Sequence, residues 1–201
     1  MRVLGVLAVS LALVLPLSGC IASLVPAGIP MARLPPDWSL SGESTTGTAG
    51  SGPFTVQYRM NVYVRTSDPP AKIYVTTVPD VPLYDEAGAM RQEVKARLNS
   101  EGVVETPRGS GSTTIEGNSA QFQFYDLELT IRGTSVRGKA VQATWTCGST
   151  GNFVGVYGYA ATQVPRPVLG TVENESAWRQ VVGEGGDNSV GGLVAAVACR
   201  V

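Results

Sequence analysis

The side chains with most chemical reach in this sequence are a pair of carboxylates, Asp126 and Glu128, and two widely separated cysteines, Cys147 and Cys199. Asp126 and Glu128 lie two positions apart in a β-patterned run. Both therefore project from one face of a strand, where they would suit Ca²⁺ chelation or paired acid-base chemistry. Thr130, Arg132 and Lys139 stand close by in the same pattern, so cross-strand ion pairing on a solvated sheet face is the simpler account, and Glu116 does not extend the pair into a site. Histidine is absent, which excludes His-based triads, His metal sites and imidazole acid-base chemistry at neutral pH. The only lysines are Lys72, Lys95 and Lys139, and none closes a Ser-x-x-Lys motif. Gly183-Glu184-Gly185-Gly186-Asp187-Asn188-Ser189 lacks the lysine of a phosphate loop and the full ligand count of a Ca²⁺ site, and reads as a mobile loop. The expectation is a protein without catalytic residues, metal or cofactor.

The cysteines gain meaning from the start of the chain. Arg2 precedes an apolar run, Val3 to Leu17, long enough for a signal-peptide core yet short of the ~20 residues of a spanning helix. Leu17-Ser18-Gly19-Cys20 closes it and resembles the lipobox of prokaryotic lipoproteins. The resemblance implies removal of residues 1 to 19, lipid on the Cys20 sulfur, and two acyl chains, which hold a protein stably on a membrane where one chain is marginal. The alternative is an uncleaved anchor in which Cys20 keeps its thiol. Either reading places the domain outside the cytoplasm, where thiols oxidise and an even cysteine count points to a bridge. Cys147 is therefore expected to pair with Cys199. A Cys nucleophile would need an activating base, and no histidine is present to serve.

Composition narrows the partners. The full chain carries 15 Lys plus Arg against 16 Asp plus Glu; removal of the leader takes only Arg2, leaving 14 against 16 and a net charge of −2. That balance argues against nucleic acid. The membrane, through the anchor, and a protein in the envelope are the expected partners.

Residues 20 to 53 read as a lipidated tether, rich in proline at first and in Gly, Ser and Thr later, with a coil span on the order of 30 Å. Trp38 is the exception, since a large aromatic in a tether is expected to dock on the domain, which would then begin near Leu34. The domain proper is expected over 54 to 201. Phe54 to Arg65 alternates apolar and polar residues and predicts a half-buried strand; Ser67-Asp68-Pro69-Pro70 turns into a second strand, Lys72 to Val78. Asp85 caps a helix with Ala87, Met90, Val94 and Leu98 on one face, ended by Gly102. From Thr113 to Ala160 three antiparallel strands follow, turning at Arg132-Gly133 and at Gly148 to Gly151. In the first of them the apolar phase slips from Ala120, Phe122 and Phe124 to Leu127, Leu129 and Ile131, which predicts a bulge at Phe124-Tyr125. Asn174 to Val182 predicts a short helix with Ala177, Trp178, Val181 and Val182 inward. The apolar tail, Val190 to Val201, fits strand or helix by pattern, and the expected bridge favours a strand or strap.

The sum is an α+β domain with an antiparallel sheet of about five to six strands flanked by two helices. Leu34-Pro35-Pro36-Asp37-Trp38, the hairpin, the helix, the Ile115-Glu116-Gly117 turn, the long strands and the closing helix together resemble the PsbP-like fold over about residues 34 to 183. That resemblance implies roles in stabilising or assembling membrane complexes without a shared catalytic site, and no functional residue transfers. The leading expectation is a non-enzymatic, membrane-anchored binding or assembly module. Two others remain open: a carrier of a small apolar ligand, held in a cavity lined by Phe122, Phe124, Trp145 and Tyr157, and a hydrolase using Asp126 and Glu128.

Overall fold

Strict alternation over residues 56 to 65 builds the first hairpin where the pattern places it. β3 (Val56–Arg65) pairs antiparallel with β4 (Ala71–Pro79), Val62 opposite Tyr74. The computed structural model describes residues 34–41, 45–49, 56–79, 85–186, 190–197 and 199; the leader, Cys20 and residues 21 to 33 lie outside them. Ahead of the hairpin come β1 (Trp38–Leu40) and β2 (Thr45–Ala49); after it come α1 (Glu86–Ser100), β5 (Val104–Ile115), β6 (Asn118–Ile131), β7 (Thr134–Thr146) and β8 (Asn152–Ala161). A small hairpin of β9 (Gln163–Arg166) and β10 (Gly170–Glu173), then α2 (Ser176–Val182) and α3 (Gly192–Ala195), complete the described chain.

The main sheet is wholly antiparallel and has eight strands, not five or six, in the order β1-β3-β4-β8-β7-β6-β5 with β2 also on β3. The extra strands β1, β2 and β5 all lie at the sheet's edges. Edge strands expose much of their surface and need no apolar alternation, so β5, which reads Val-Glu-Thr-Pro-Arg-Gly-Ser-Gly-Ser-Thr-Thr-Ile, carries no strand pattern to find. β1 and β2 also revise the tether: Trp38 is buried and residues 38–40 and 45–49 pair with β3, so part of the stretch expected as tether belongs to the sheet. The docking of Trp38 is seen directly, its Nε1 donating to Gln180 Oε1 at 2.7 Å.

Helices cover both faces of the sheet. α1 starts at Asp85, whose carboxylate accepts from the Gly88 N–H at 2.9 Å, and buries Met90, Val94 and Leu98 as its spacing predicts. α2 buries Ala177, Trp178, Val181 and Val182 on the opposite face. β8 lies between them, and every residue from Phe153 to Ala161 is buried. Two glycines of β8 let the helices seat closely: a Cβ on Gly155 would collide with the Met90 sulfur under α1, and one on Gly158 would stand 2.7 Å from Val181 of α2. Within the tail, Gly192–Ala195 form the short helix α3, which buries Leu193 and Val194 beside α2.

No bulge falls in β6. Its register with β7 runs unbroken from Ala120↔Trp145 to Ile131↔Thr134. The apolar phase slips because each face of β6 is covered along a different half. Ala120 and Phe124 belong to the core under α2, Leu127 and Leu129 to the core under α1, and Asp126, Glu128 and Thr130 fall on the uncovered part of the α2 face. The irregularity is one strand over, in β5 between Pro107 and Gly109, which face Tyr125 and Phe124.

Candidate functional site

Beneath α1 the sheet carries tyrosines that the alternation of β4 and β8 aims at the helix: Tyr74, Tyr157 and Tyr159. Two carboxylates from the stretch after α1 meet them. Glu101 accepts from Tyr74 Oη at 2.9 Å, from Tyr159 Oη at 2.6 Å and from Lys72 Nζ at 2.7 Å. Glu105 takes a bidentate pair from Arg91, Nη1 to Oε1 at 3.1 Å and Nη2 to Oε2 at 2.7 Å, and the Tyr157 hydroxyl donates to the same Oε1. The Arg91 guanidinium also lies 4.5 Å from the Tyr125 ring centroid. The Glu105 side chain is 8% exposed and that of Arg91 24%, so this pair is largely withdrawn from water.

These contacts set the charges. Burial pushes the Tyr157 phenol far above the usual tyrosine range, and the neighbouring Glu105 carboxylate pushes the same way. Tyr159 moves likewise, through burial first, then Tyr74 and Glu101. Burial works against the Glu101 anion, yet the hydrogen bonds from Lys72, Tyr159 and Tyr74 outweigh it and hold the carboxyl below its ordinary value. Burial likewise opposes the Arg91 cation, and Glu105 outweighs it, raising the guanidinium. The network thus keeps the Tyr157 and Tyr159 phenols protonated and favours the anion of Glu101. Its members are consumed in tying α1 to the sheet.

Asp126 and Glu128 open onto a groove of about 640 Å³ at the other end of the sheet, on the α2 face. Their Cα partners across β7 are Lys139 and Arg137, as cross-strand pairing requires. Lys139 also reaches Glu175 at 2.8 Å, Arg137 binds Glu173 of β10, and Asp126 pairs with Arg108 at 3.7 Å. The Asp126 side chain is 56% exposed. The groove therefore has mixed charge, with Val104 as its exposed apolar wall and the β9–β10 hairpin along one side. A second hollow of about 450 Å³ lies by the first turns of α1, over Gln121, Gln123, Gln142 and Thr144. Among the described residues no group of three or more Cys, Asp or Glu side chains is placed to hold a metal ion.

The four residues expected to line a ligand cavity are not brought together. Phe122, Phe124 and Trp145 face α2, where Phe124 packs edge-on against Trp178 with ring centroids 6.2 Å apart, whereas Tyr157 faces α1. Cys147 and Cys199 do meet, forming a disulfide across 52 residues, and the indole Nε1 of Trp145 lies 3.3 Å from the Cys199 sulfur. Glu116 finds a structural role, accepting from the Cys199 N–H at 2.8 Å. Asp187 and Asn188 lie outside the described residues, and Glu184 borders a shallow hollow beside α2.

Two features had little signal in the sequence. Glu101 and Glu105 follow a helix in a stretch with no strand pattern, and only their alignment with three buried tyrosines, known once β4, β8 and β5 are placed, gives them a role. The β9–β10 hairpin is four residues a side around Pro167-Val168-Leu169, and its tip leaves Val168 92% and Leu169 74% exposed. No family model, curated protein or solved structure matches this chain.

Proposed function

We propose that this chain is an extracytoplasmic lipoprotein, anchored through Cys20, that acts as a non-enzymatic docking or assembly module in the envelope. The lipobox supports the anchor, and the disulfide-distance pair Cys147 and Cys199 is in keeping with an oxidising compartment. The order helix, antiparallel sheet, helix supports a PsbP-like reading of the fold, with β1, β2 and β5 as additions at the edges.

The observation that carries the docking reading is the β9–β10 hairpin. Its base borders the mixed-charge groove through Glu173, and its tip holds two adjacent apolar side chains in water. Apolar surface next to polar, charged walls is the composition of a recognition patch, with an aliphatic anchor and a rim that sets specificity.

Mass spectrometry and photo-crosslinking test both halves. The mature chain is expected to begin at Cys20 and to carry the added mass of a two-chain lipid on its sulfur. A photo-reactive residue at position 169 is expected to capture a discrete partner that the same residue at position 92, on the outer face of α1, does not, with capture at position 168 abolished by Leu169→Asp. A native product with residues 1 to 19 intact and an unmodified Cys20 would defeat the anchor, and equal capture from positions 169 and 92 would defeat the hairpin.

A further inference from the structure

The two edges of the main sheet are finished differently. On one side β1 and β2 divide the length of β3 between them. On the other β5 ends the sheet, with no described strand beyond it.

The register shows which backbone groups β5 presents outward. β5 and β6 are joined by two residues, Glu116 and Gly117, with φ of 48° and 79°, and in such a hairpin the flanking pair, here Ile115 and Asn118, exchanges both hydrogen bonds. Bonding then alternates along the ladder. Thr113 and Gly111 bond to β6, while Ser110, Ser112 and Thr114 turn their N–H and C=O groups away from it. All three residues are exposed. The open ladder has two ends. At one is the hairpin turn; at the other is the register shift between Pro107 and Gly109, where Pro107 offers no N–H and the extra residue Arg108 breaks the spacing. The regular stretch is therefore 109 to 115, and Ser112 is its midpoint.

We propose that β5 is a homodimerisation edge, through which two copies of this chain pair antiparallel about a two-fold axis at Ser112. This inference concerns a surface separate from the β9–β10 hairpin and rests on the anchor reading only for local concentration. The two-fold sets Ser112 opposite Ser112 of the second copy, and Ser110 opposite its Thr114. Every outward N–H and C=O of the regular stretch then has a partner, and each copy's strand ends where the other's irregular backbone begins. Displacing the axis to Ser110 or Thr114 leaves outward groups unpaired. The facing side chains are hydroxyls, which hydrogen-bond across antiparallel strands, and no like charges are opposed. Self-pairing of this kind is isologous, so it closes at two copies instead of growing. The contact is short and at the small end of specific interfaces; confinement of both copies to one membrane plane supplies the concentration it needs.

The test uses the full chain in its membrane. Ser112→Cys treated with a short bis-maleimide, which adds one thiol at each end, is expected to give a covalent dimer, and Gln92→Cys on the exposed face of α1 is not. Adding Ser110→Pro removes an outward N–H that β6 does not use. It is expected to lower the Ser112→Cys dimer about tenfold while the Cys147–Cys199 bridge and the β-sheet circular dichroism persist. Ser112→Lys, which sets two like charges face to face on the axis, is expected to lower the dimer fraction counted by single-molecule photobleaching of the labelled chain in a lipid bilayer. A Ser112→Cys dimer no more abundant than that of Gln92→Cys, or a dimer fraction unmoved by Ser112→Lys, overturns the proposal. Capture at position 169 is expected to be indifferent to all of these changes, so failure of the edge and failure of the hairpin are told apart.

Discussion

Along β8 the side chains divide by parity, Val154, Val156 and Ala160 turning to α2 and α3 while Tyr157 and Tyr159 turn to α1. The first face is closed by hydrocarbon and aromatic packing and by one covalent link. The second combines a hydrocarbon patch, Met90, Val94 and Leu98, with tyrosines that hydrogen-bond two carboxylates. Hydrocarbon contacts tolerate sliding, whereas bidentate and charge-assisted bonds fix one geometry. The α2 face therefore supplies mainly cohesion, and the α1 face adds a fixed seat for its helix.

Four changes probe that contrast. Trp178 is 1% exposed against Phe124, and Trp178→Ala is expected to cost about 3 to 5 kcal/mol by chemical denaturation, the largest effect, because the cavity cannot refill between a sheet and a short helix. Cys147→Ser with Cys199→Ser is expected to cost about 4 kcal/mol, the loop-closure value for a 52-residue separation. It is also expected to raise hydrogen exchange in α3 before α1. On the other face Glu105→Gln leaves the Arg91 charge without its carboxylate and is expected to cost about 2 kcal/mol, whereas Arg91→Met with Glu105→Leu recovers most of that loss, since an apolar pair avoids desolvating two ions. A double variant no better than the single one would show that the polar seat contributes net stability.

The smallest effects are in pH. Because Glu101 is held below its ordinary value, its contribution is complete above about pH 4.3 and is lost as the pH falls through the folded value; Glu101→Gln is expected to flatten that acid limb in thermal melts. The phenols of Tyr157 and Tyr159 are raised, so their contribution is complete below about pH 10 and lost at higher pH, when the unfolded chain ionises and the folded one does not. Tyrosinate absorbance is expected to show these two ionising only together with unfolding. Alkaline loss without that coincidence would place the sensitivity on the other face.

The contrast also explains what the sequence let one see. Periodicity locates β3, β4, α1, β6, β7, β8 and α2, because each buries a stripe of apolar residues whose spacing is fixed by backbone geometry. The cysteines announce their own bridge. β5 and the β9–β10 hairpin bury little and carry no such stripe, and the phase change in β6 imitates a bulge because periodicity cannot tell an irregular backbone from a regular strand covered on alternate faces. Asp126 and Glu128 stand as a strand pair would, but which cation each meets depends on β10 and α2, distant in sequence. Tyr157 was legible as a large buried aromatic and not as a hydrogen-bond donor, since its acceptor, Glu105, comes from the unpatterned edge.

The manner in which the chain enters the domain fixes how it bears tension. From Leu34 the backbone runs into β1, whose Trp38 is latched to Gln180, and just ahead of it Asp37 accepts from Arg65 at 2.6 Å, the same arginine that donates to the Pro69 carbonyl at 2.7 Å. A tug along the strand at residue 34 strains the β1–β3 ladder lengthwise, so its bonds must fail together, and it draws on an indole wedged under α2 instead of peeling the sheet bond by bond. A load at residue 34 therefore meets β3 first, the strand whose alternate side chains root in both cores.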